Sequence, residues 1–272
     1  MTKKLLLSVL FLMLSLAALQ AITECPTCHY LVEKQNIECP RCLKLLKWPF
    51  APPRSREGRI VVRSGSDAFI RHPQAQNRAF KADRNAGGDI SGQIGSWGGQ
   101  TALRYLIRFD VKEAFVLAKA NMAAFKLKRA TLRFTASSTE TSRTIRICIH
   151  PLNRPFIEGS GRFREREKKI DGCSWFYSAP MLPWYSEGGD YDATVISTGS
   201  ISQGSQHESL IDVTEVMQYR FDMFCKTGEW NDPGMIIMGA TEASQQRGFV
   251  TIFSMESRAI GENVRAPELF LE

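Results

Sequence analysis

The sequence predicts an all-β chain, a β-sandwich with a small metal-binding knot at its front. Three observations predict it. Leu103, Tyr105, Ile107, Phe109 and Val111 alternate with Arg104, Arg108 and Asp110, a period of two that puts apolar side chains on one face of a strand and charges on the other, wet face. About ten short stretches of this kind follow residue 59, parted by turn residues, as in a sandwich. Ahead of them stand two Cys-x-x-Cys pairs, Cys25 with Cys28 and Cys39 with Cys42.

At 272 residues the chain can hold one sizeable β domain plus something small. An apolar fraction of 43% and a charged fraction of 23% exclude wholesale disorder. The formal charge of +7 favours acidic partners: nucleic acid, anionic lipid or acidic polysaccharide. Compartment decides among them. Residues 1–21 carry Lys3 and Lys4, then an apolar core over 5–19, then Ala21 before a plausible cut. That is the layout of a secretory signal peptide. Its removal takes away both lysines and brings +7 to +5. The apolar run is short of the roughly 20 residues of a membrane span; left uncut, it would serve as an anchor. Either way the lysines stay inside and the rest is exported. The expected location is outside the cell or in its envelope, in the periplasm or on the surface, and nucleic acid drops out as a partner.

Residues 22–47 form the knot. With ten residues between the pairs, Cys25, Cys28, Cys39 and Cys42 can place four thiolates around one structural Zn²⁺, as in a zinc ribbon. Pro26 and Pro40 stiffen the turns. So short a segment has almost no core, so metal binding would supply most of its folding free energy. Two disulfides are the competing reading, because an exported chain meets oxidants. Residues 48–58, with Pro49, Pro52 and Pro53, read as an extended, stiff linker.

The sandwich is expected over 59–272. Strands at 59–63 and 67–71 are separated by Ser64-Gly65-Ser66, as in a hairpin or meander. Residues 73–101 are a glycine-rich loop region with one strand near 90–94. The central strand at 103–111 is followed by a short alanine-rich, helix-like stretch at 112–122. Strands follow at 128–136, with Ala130, Leu132 and Phe134 inward, and at 144–150, with Ile145, Ile147 and Ile149 inward. Residues 151–208 are irregular, and their charged run at 162–169 reads as a solvated loop. After a strand at 209–213, Val213, Met217, Phe221 and Phe224 have helical spacing, so a short helix is expected over 214–224. Strands at 234–240, 248–254 and 268–271 close the set.

Sugar binding needs aromatic faces for pyranose C–H groups and polar side chains for hydroxyls. Trp175, Tyr177, Trp184, Tyr185 and Tyr191 crowd one loop-rich stretch, with Asp171, Glu187, Asp190 and Asp192 among them. Either these rings bind a glycan, or Trp175 and Trp184 plug the end of the core. Asp190 and Asp192, one residue apart after Gly188-Gly189, either hold Ca²⁺ or line a solvated turn. Arg104, Arg108, Arg133 and Arg146 take outward positions on successive strands. They form a basic row for uronate or sulfate if those strands are neighbours, or pair across strands with acids. Cys148, Cys173 and Cys225 are three, which in an exported chain makes one disulfide and one free thiol. No Gly-x-Ser-x-Gly elbow or His-Glu-x-x-His helix is present, so no catalytic residue is assigned.

The order of several segments resembles the DNRLRE domain, counted among the carbohydrate-binding modules as family ninety-six. The resemblance spans about residues 60–272 on the strand pattern. It runs through Ser66-Asp67-Ala68-Phe69-Ile70-Arg71 and Arg104-Tyr105-Leu106-Ile107-Arg108-Phe109-Asp110-Val111. Phe156-Ile157-Glu158-Gly159 is similar to the family's aromatic-x-Glu-Gly turn, and Gly188-Gly189-Asp190 to its Gly-Gly-Asp segment. Asp212-Val213-Thr214 resembles the passage into its helix, with Tyr219 where tryptophan is more usual. Ser254-Met255-Glu256 and Arg265-Ala266-Pro267 resemble the closing segment, with Met255 for the usual arginine. The resemblance implies a jelly-roll sandwich and non-catalytic polysaccharide binding outside the cell. The leading expectation is an exported carbohydrate-binding protein, for an acidic polysaccharide. A structural or adhesion protein whose ribbon docks a cell-envelope protein is the second, and a polysaccharide lyase or hydrolase the third.

Overall fold

The computed structural model describes residues 22–24, 31–33, 54–56, 59–72, 84–98, 101–112, 114–115, 127–137, 144–163, 169–204, 207–229, 232–240, 242, 247–261 and 266–272. The chain divides into two compact units, Met1–Pro52 and Pro53–Glu272. In the first, β1 (Ile22–Glu24) and β2 (Leu31–Glu33) pair antiparallel, with Ile22 opposite Glu33 and Glu24 opposite Leu31. In sequence these strands flank the segment carrying Cys25 and Cys28. The expected signal peptide, residues 1–21, and Cys25, Cys28, Cys39 and Cys42 of the expected zinc ribbon lie outside the described residues.

The second unit begins inside the expected linker. β3 (Arg54–Arg56) turns back onto the start of β4 (Arg59–Arg71), with Arg56 opposite Arg59. β4 itself corrects the expected hairpin, because residues 59–71 are one strand of 13 residues. Its register slips between Ser64 and Ser66. Gly65 is the extra residue of a bulge, which bends a strand without ending it. The bend lets β4 serve two partners. Ile60–Arg63 pair with β15 (Glu268–Leu271), and the half beyond the bulge pairs with β6 (Ala102–Phe109).

The remaining strands are β5 (Ser91–Ser96), β7 (Ala130–Thr135), β8 (Thr144–Pro151), β9 (Tyr177–Ala179), β10 (Leu182–Pro183), β11 (Ser197–Ser202), β12 (Glu208–Asp212), β13 (Met235–Gly239) and β14 (Gly248–Phe253). The sheet order is β11-β8-β13-β6-β4-β15-β7-β12, folded over at β4. β5 joins the end of β6 and pairs along β14, and Ala136 bridges Ile252, nearly closing the sheet on itself. The ladders among the described residues are antiparallel. The expected all-β architecture is therefore present, an antiparallel sheet nearly closed on itself, consistent with a sandwich or a barrel. Between its layers lie Tyr105, Ile107 and Phe109 of β6, Leu132 and Phe134 of β7, Ile147 and Ile149 of β8, and Ile237 of β13. One helix, α1 (Thr214–Thr227), packs against β7, β8 and β11 through Val216, Met217, Phe221 and Phe224. It ends at Gly228, whose φ of 73° supplies the left-handed cap and whose N–H reaches the Phe224 carbonyl. Most of the helix-like stretch 112–122 lies outside the described residues. Phe115 is buried there and meets Phe221 edge-on at 5.1 Å.

The central strand departs from expectation. Every residue of β6 is buried or half-buried, so neither of its faces is wet. Its outer face carries Leu106, flanked by Ala68 and Ile70 of β4 and by Ile236 and Met238 of β13. The excursion from Leu152 to Tyr191 lies over that surface, adding Leu152, Phe156, Cys173, Trp175 and Trp184 as a second core. The irregular region is thus a roof on one sheet, held by apolar burial like any core layer.

Candidate functional site

The roof decides the fate of the aromatic cluster. Trp175 and Trp184 are buried members of the second core, and the Trp184 Nε1–H donates to the Ser174 carbonyl at 3.0 Å. His72 meets Trp175 edge-on at 4.9 Å, and the Arg104 guanidinium lies 4.8 Å from its ring centre. Both indoles are therefore plugs, and neither face is free for a sugar. Tyr177 and Tyr191 are half-buried. Tyr185 differs: it is 86% exposed. Its ring is nonetheless held, because the Arg154 guanidinium lies 3.8 Å from the ring centre on one face. Arg154 also donates to the Pro183 carbonyl and pairs with Asp190 at 3.8 Å.

Asp190 is the anchor of that arrangement. It accepts the Tyr185 N–H at 2.9 Å and the Ser186 N–H at 2.7 Å. Asp192 serves another turn, accepting the Thr194 N–H at 2.9 Å and its hydroxyl at 2.6 Å. The structure thus gives these two carboxylates separate local duties. Gly188 is where the chain folds under them. At φ +83° a Cβ there would lie 2.7 Å from both Trp175 and Arg104. Next to Tyr185, the β9–β10 hairpin turns through Pro180-Met181, and Met181 takes φ 61° while 81% exposed. A bulky residue in that conformation is strained. Leu182 beside it is 49% exposed.

The arginines do not form one row. Arg104, Arg108 and Arg146 lie on the sheet containing β6 and β8, with β13 between those strands, while Arg133 lies on β7 in the opposite layer. Arg104 is bidentate to Glu242, at 3.0 Å from Nε and 2.9 Å from Nη2, and donates to the Gly188 carbonyl at 2.8 Å. Arg133 bridges Glu208 at 3.3 Å and Glu268 at 2.9 Å across both neighbouring strands. Arg108 donates to the Ser66 hydroxyl at 3.1 Å, and only Arg146 of the four is exposed. Alternation predicted the outward direction, but pairing with Glu242 has spent the charge of Arg104, and pairing with the cross-strand acids Glu208 and Glu268 that of Arg133. The three later cysteines also stay apart: Cys148 is half-buried on β8, Cys173 buried in the second core and Cys225 exposed on α1, all as free thiols. The expected disulfide among them is absent because the fold holds them in three different places.

Carboxylates converge at a place the sequence did not single out as a site. One oxygen each of Asp67, Glu158 and Glu256 lies within 4.8 Å of the others. Asp67 comes from β4, Glu158 from the roof, and Glu256 from a 3-10 helix (Met255–Ile260) that follows β14. The Asp67 N–H donates to Glu158 Oε1 at 2.9 Å, and Asp67 Oδ2 accepts the Met255 N–H at 2.8 Å. Asn85 positions the Glu158 turn. Its Oδ1 accepts the Gly87 N–H at 3.2 Å and the Gly161 N–H at 2.7 Å, while its Nδ2 donates to the carbonyls of Glu158 and Cys173. Gly159, at φ +74°, leaves room for that amide, since a Cβ would lie 2.6 Å from it. Burial raises the Asp67 carboxyl; burial, then the charges of Asp67 and Glu158, raise that of Glu256. The signal was present in sequence only as three segments of the family resemblance, Ser66-Asp67, Phe156-Ile157-Glu158-Gly159 and Met255-Glu256.

An open groove of about 690 Å³ runs between the edge strand β11 and α1. Its lining includes Asp212, Glu215, Asp222 and Tyr219, without a lysine or arginine. Asp212 is engaged by Thr214, and Gln218 by the Leu127 N–H and Asp222. The groove offers nothing to an acidic chain. Among known proteins, no family model matches this sequence, and no curated protein matches it.

Proposed function

We propose that the chain is an exported, non-catalytic glycan-binding protein that holds its ligand on the roof, with Tyr185 as the stacking platform. The observation that carries this reading is a ring 86% exposed yet backed by Arg154 at 3.8 Å. An aromatic fixed on one face and open on the other loses little entropy when a pyranose stacks on it. The strand that changes layers supports a jelly-roll reading of the sandwich, and the hairpin flanking Cys25 and Cys28 supports a zinc ribbon. Because Arg104 and Arg133 are spent in ion pairs, the reading rests on ring stacking and not on a basic row. The strained, exposed Met181 with Leu182 favours a second reading: a structural or adhesion protein of the cell surface, docking an envelope protein through that hairpin.

The test is retention of the full chain on neutral and acidic polysaccharides, compared with Tyr185→Ala. The expected result is binding that falls at least about tenfold in the variant, with unfolding midpoint unchanged. Binding unaffected by the substitution, or no polysaccharide retained while Met181→Ser abolishes capture of an envelope protein, overturns the glycan reading. Release of new reducing ends or unsaturated products would replace it with polysaccharide cleavage.

A further inference from the structure

We propose that Asp67, Glu158 and Glu256, with the Tyr105 hydroxyl, form a buried divalent-cation site that takes Ca²⁺ and staples three distant chain segments together. The inference is independent of what the roof binds. Three carboxylate oxygens within 4.8 Å of one another are its first support. Two oxygens on one Ca²⁺ at about 2.4 Å sit at most about 4.8 Å apart, so the three can share one ion. Ligands made only of hard oxygens suit Ca²⁺ better than zinc, and a buried set of several protein oxygens suits it better than Mg²⁺, which keeps most of its waters.

Two atoms at the cluster supply the second support. Tyr105 is 1% exposed, on the inner face of β6. Burial, then the neighbouring Asp67 carboxylate, raises its phenol, and its buried hydroxyl makes no hydrogen bond of regular geometry. Glu256 Oε2 is buried and likewise accepts no hydrogen bond. Buried polar atoms left this way are costly unless something satisfies them. The nearby cation does not do so through contact: Arg258 turns its guanidinium to Ser64, 3.4 Å from both its carbonyl and its hydroxyl. A divalent ion would satisfy both atoms and offset most of the carboxylate charge.

The competing way to quiet such a cluster is a proton shared between Glu256 and Asp67, and one substitution separates the two. Glu256→Gln keeps the shape, removes a charge, and can still donate to Asp67. Full chain is freed of calcium with EGTA, freed of the chelator and returned to one equivalent of zinc. It is then titrated with CaCl₂ and MgCl₂ while thermal unfolding is followed. Terbium emission excited through tyrosine reports occupancy directly. The expected result is one calcium per chain, a calcium-dependent rise in midpoint with a smaller magnesium effect, and terbium emission displaced by calcium. Glu256→Gln should weaken calcium binding about tenfold or more, since affinity follows the charge count of the ligands. No calcium dependence in the wild type, with Glu256→Gln equally or more stable, overturns the proposal in favour of the shared proton. Calcium binding unchanged in the variant places the ion elsewhere and also overturns it.

Discussion

Truncating Trp184 separates a core indole from a sugar platform, and the structure sets the size of the effect. Trp184 is 6% exposed, and its Nε1–H donates to the Ser174 carbonyl at 3.0 Å. Removing a buried tryptophan side chain costs about 3–5 kcal/mol. Leaving that carbonyl without a donor adds about 1 kcal/mol. In a domain of roughly 200 residues each kcal/mol moves Tm by about 2–4 °C. Trp184→Ala should therefore lower Tm by about 10 °C or more and move the urea midpoint in proportion. Tyr185→Ala, one residue along, removes an exposed ring and its contact with Arg154, worth about 0.5–1 kcal/mol. Its stability should stay within about 1 kcal/mol of the wild type. The assay is urea unfolding of the full chain followed by far-UV circular dichroism, with polysaccharide retention measured on the same preparations. A Trp184→Ala protein within about 1 kcal/mol of the wild type would refute the second core. So would a Tyr185→Ala protein as unstable as the tryptophan variant.

Arg104→Met should cost about 3–5 kcal/mol, because it strands Glu242, whose carboxyl burial already raises. The double replacement of Arg104 and Glu242 by Met should recover most of that in a double-mutant cycle, and a coupling below about 1 kcal/mol would refute the pairing. Asn85→Ala orphans the Gly87 and Gly161 N–H groups and should cost about 2–4 kcal/mol in urea unfolding; less than about 1 would mean that Asn85 does not hold the roof turn. The Asp212 carboxyl lies below its ordinary range, chiefly because the Thr214 hydroxyl donates to it. A carboxylate depressed on folding stabilises above its unfolded pKa, and that stability is lost as pH falls through its folded value. Asp212→Ala should thus cost about 1 kcal/mol at neutral pH, the scale of a hydrogen bond to a carboxylate at the surface, with the gap closing below about pH 4. A pH-independent gap in unfolding midpoints would refute the assignment. Metal analysis of the purified chain should find one zinc lost on alkylation of Cys25, Cys28, Cys39 and Cys42; four ribbon cysteines inert to alkylating agent and no zinc would mean disulfides.

The strands were legible because a strand with one buried face writes its pattern at every second residue, as in Ala130, Leu132 and Phe134 of β7. What alternation hides is a sheet buried twice. Leu106 stood in an outward position between Arg104 and Arg108, and Met235-Ile236-Ile237-Met238 is apolar on both faces, the signal of a fully buried strand. Read together, those outward residues required a cover, and the irregular stretch holding Trp175 and Trp184 was the only aromatic-rich material to supply one. Ser64-Gly65-Ser66 misled for a related reason. A glycine between small polar residues marks a bulge as readily as a turn, and only the register with β6 and β15 distinguishes them. The acidic cluster was beyond any local rule, since Asp67 and Glu158 are 91 residues apart. Strand pairing and Asn85 bring them together, not sequence proximity. Yet each carboxylate sits inside a segment whose order marked the resemblance to the DNRLRE domain. In this fold their meeting place is the interior beside Tyr105, so a search for function confined to exposed aromatics and arginines looks at only one of its two candidate sites.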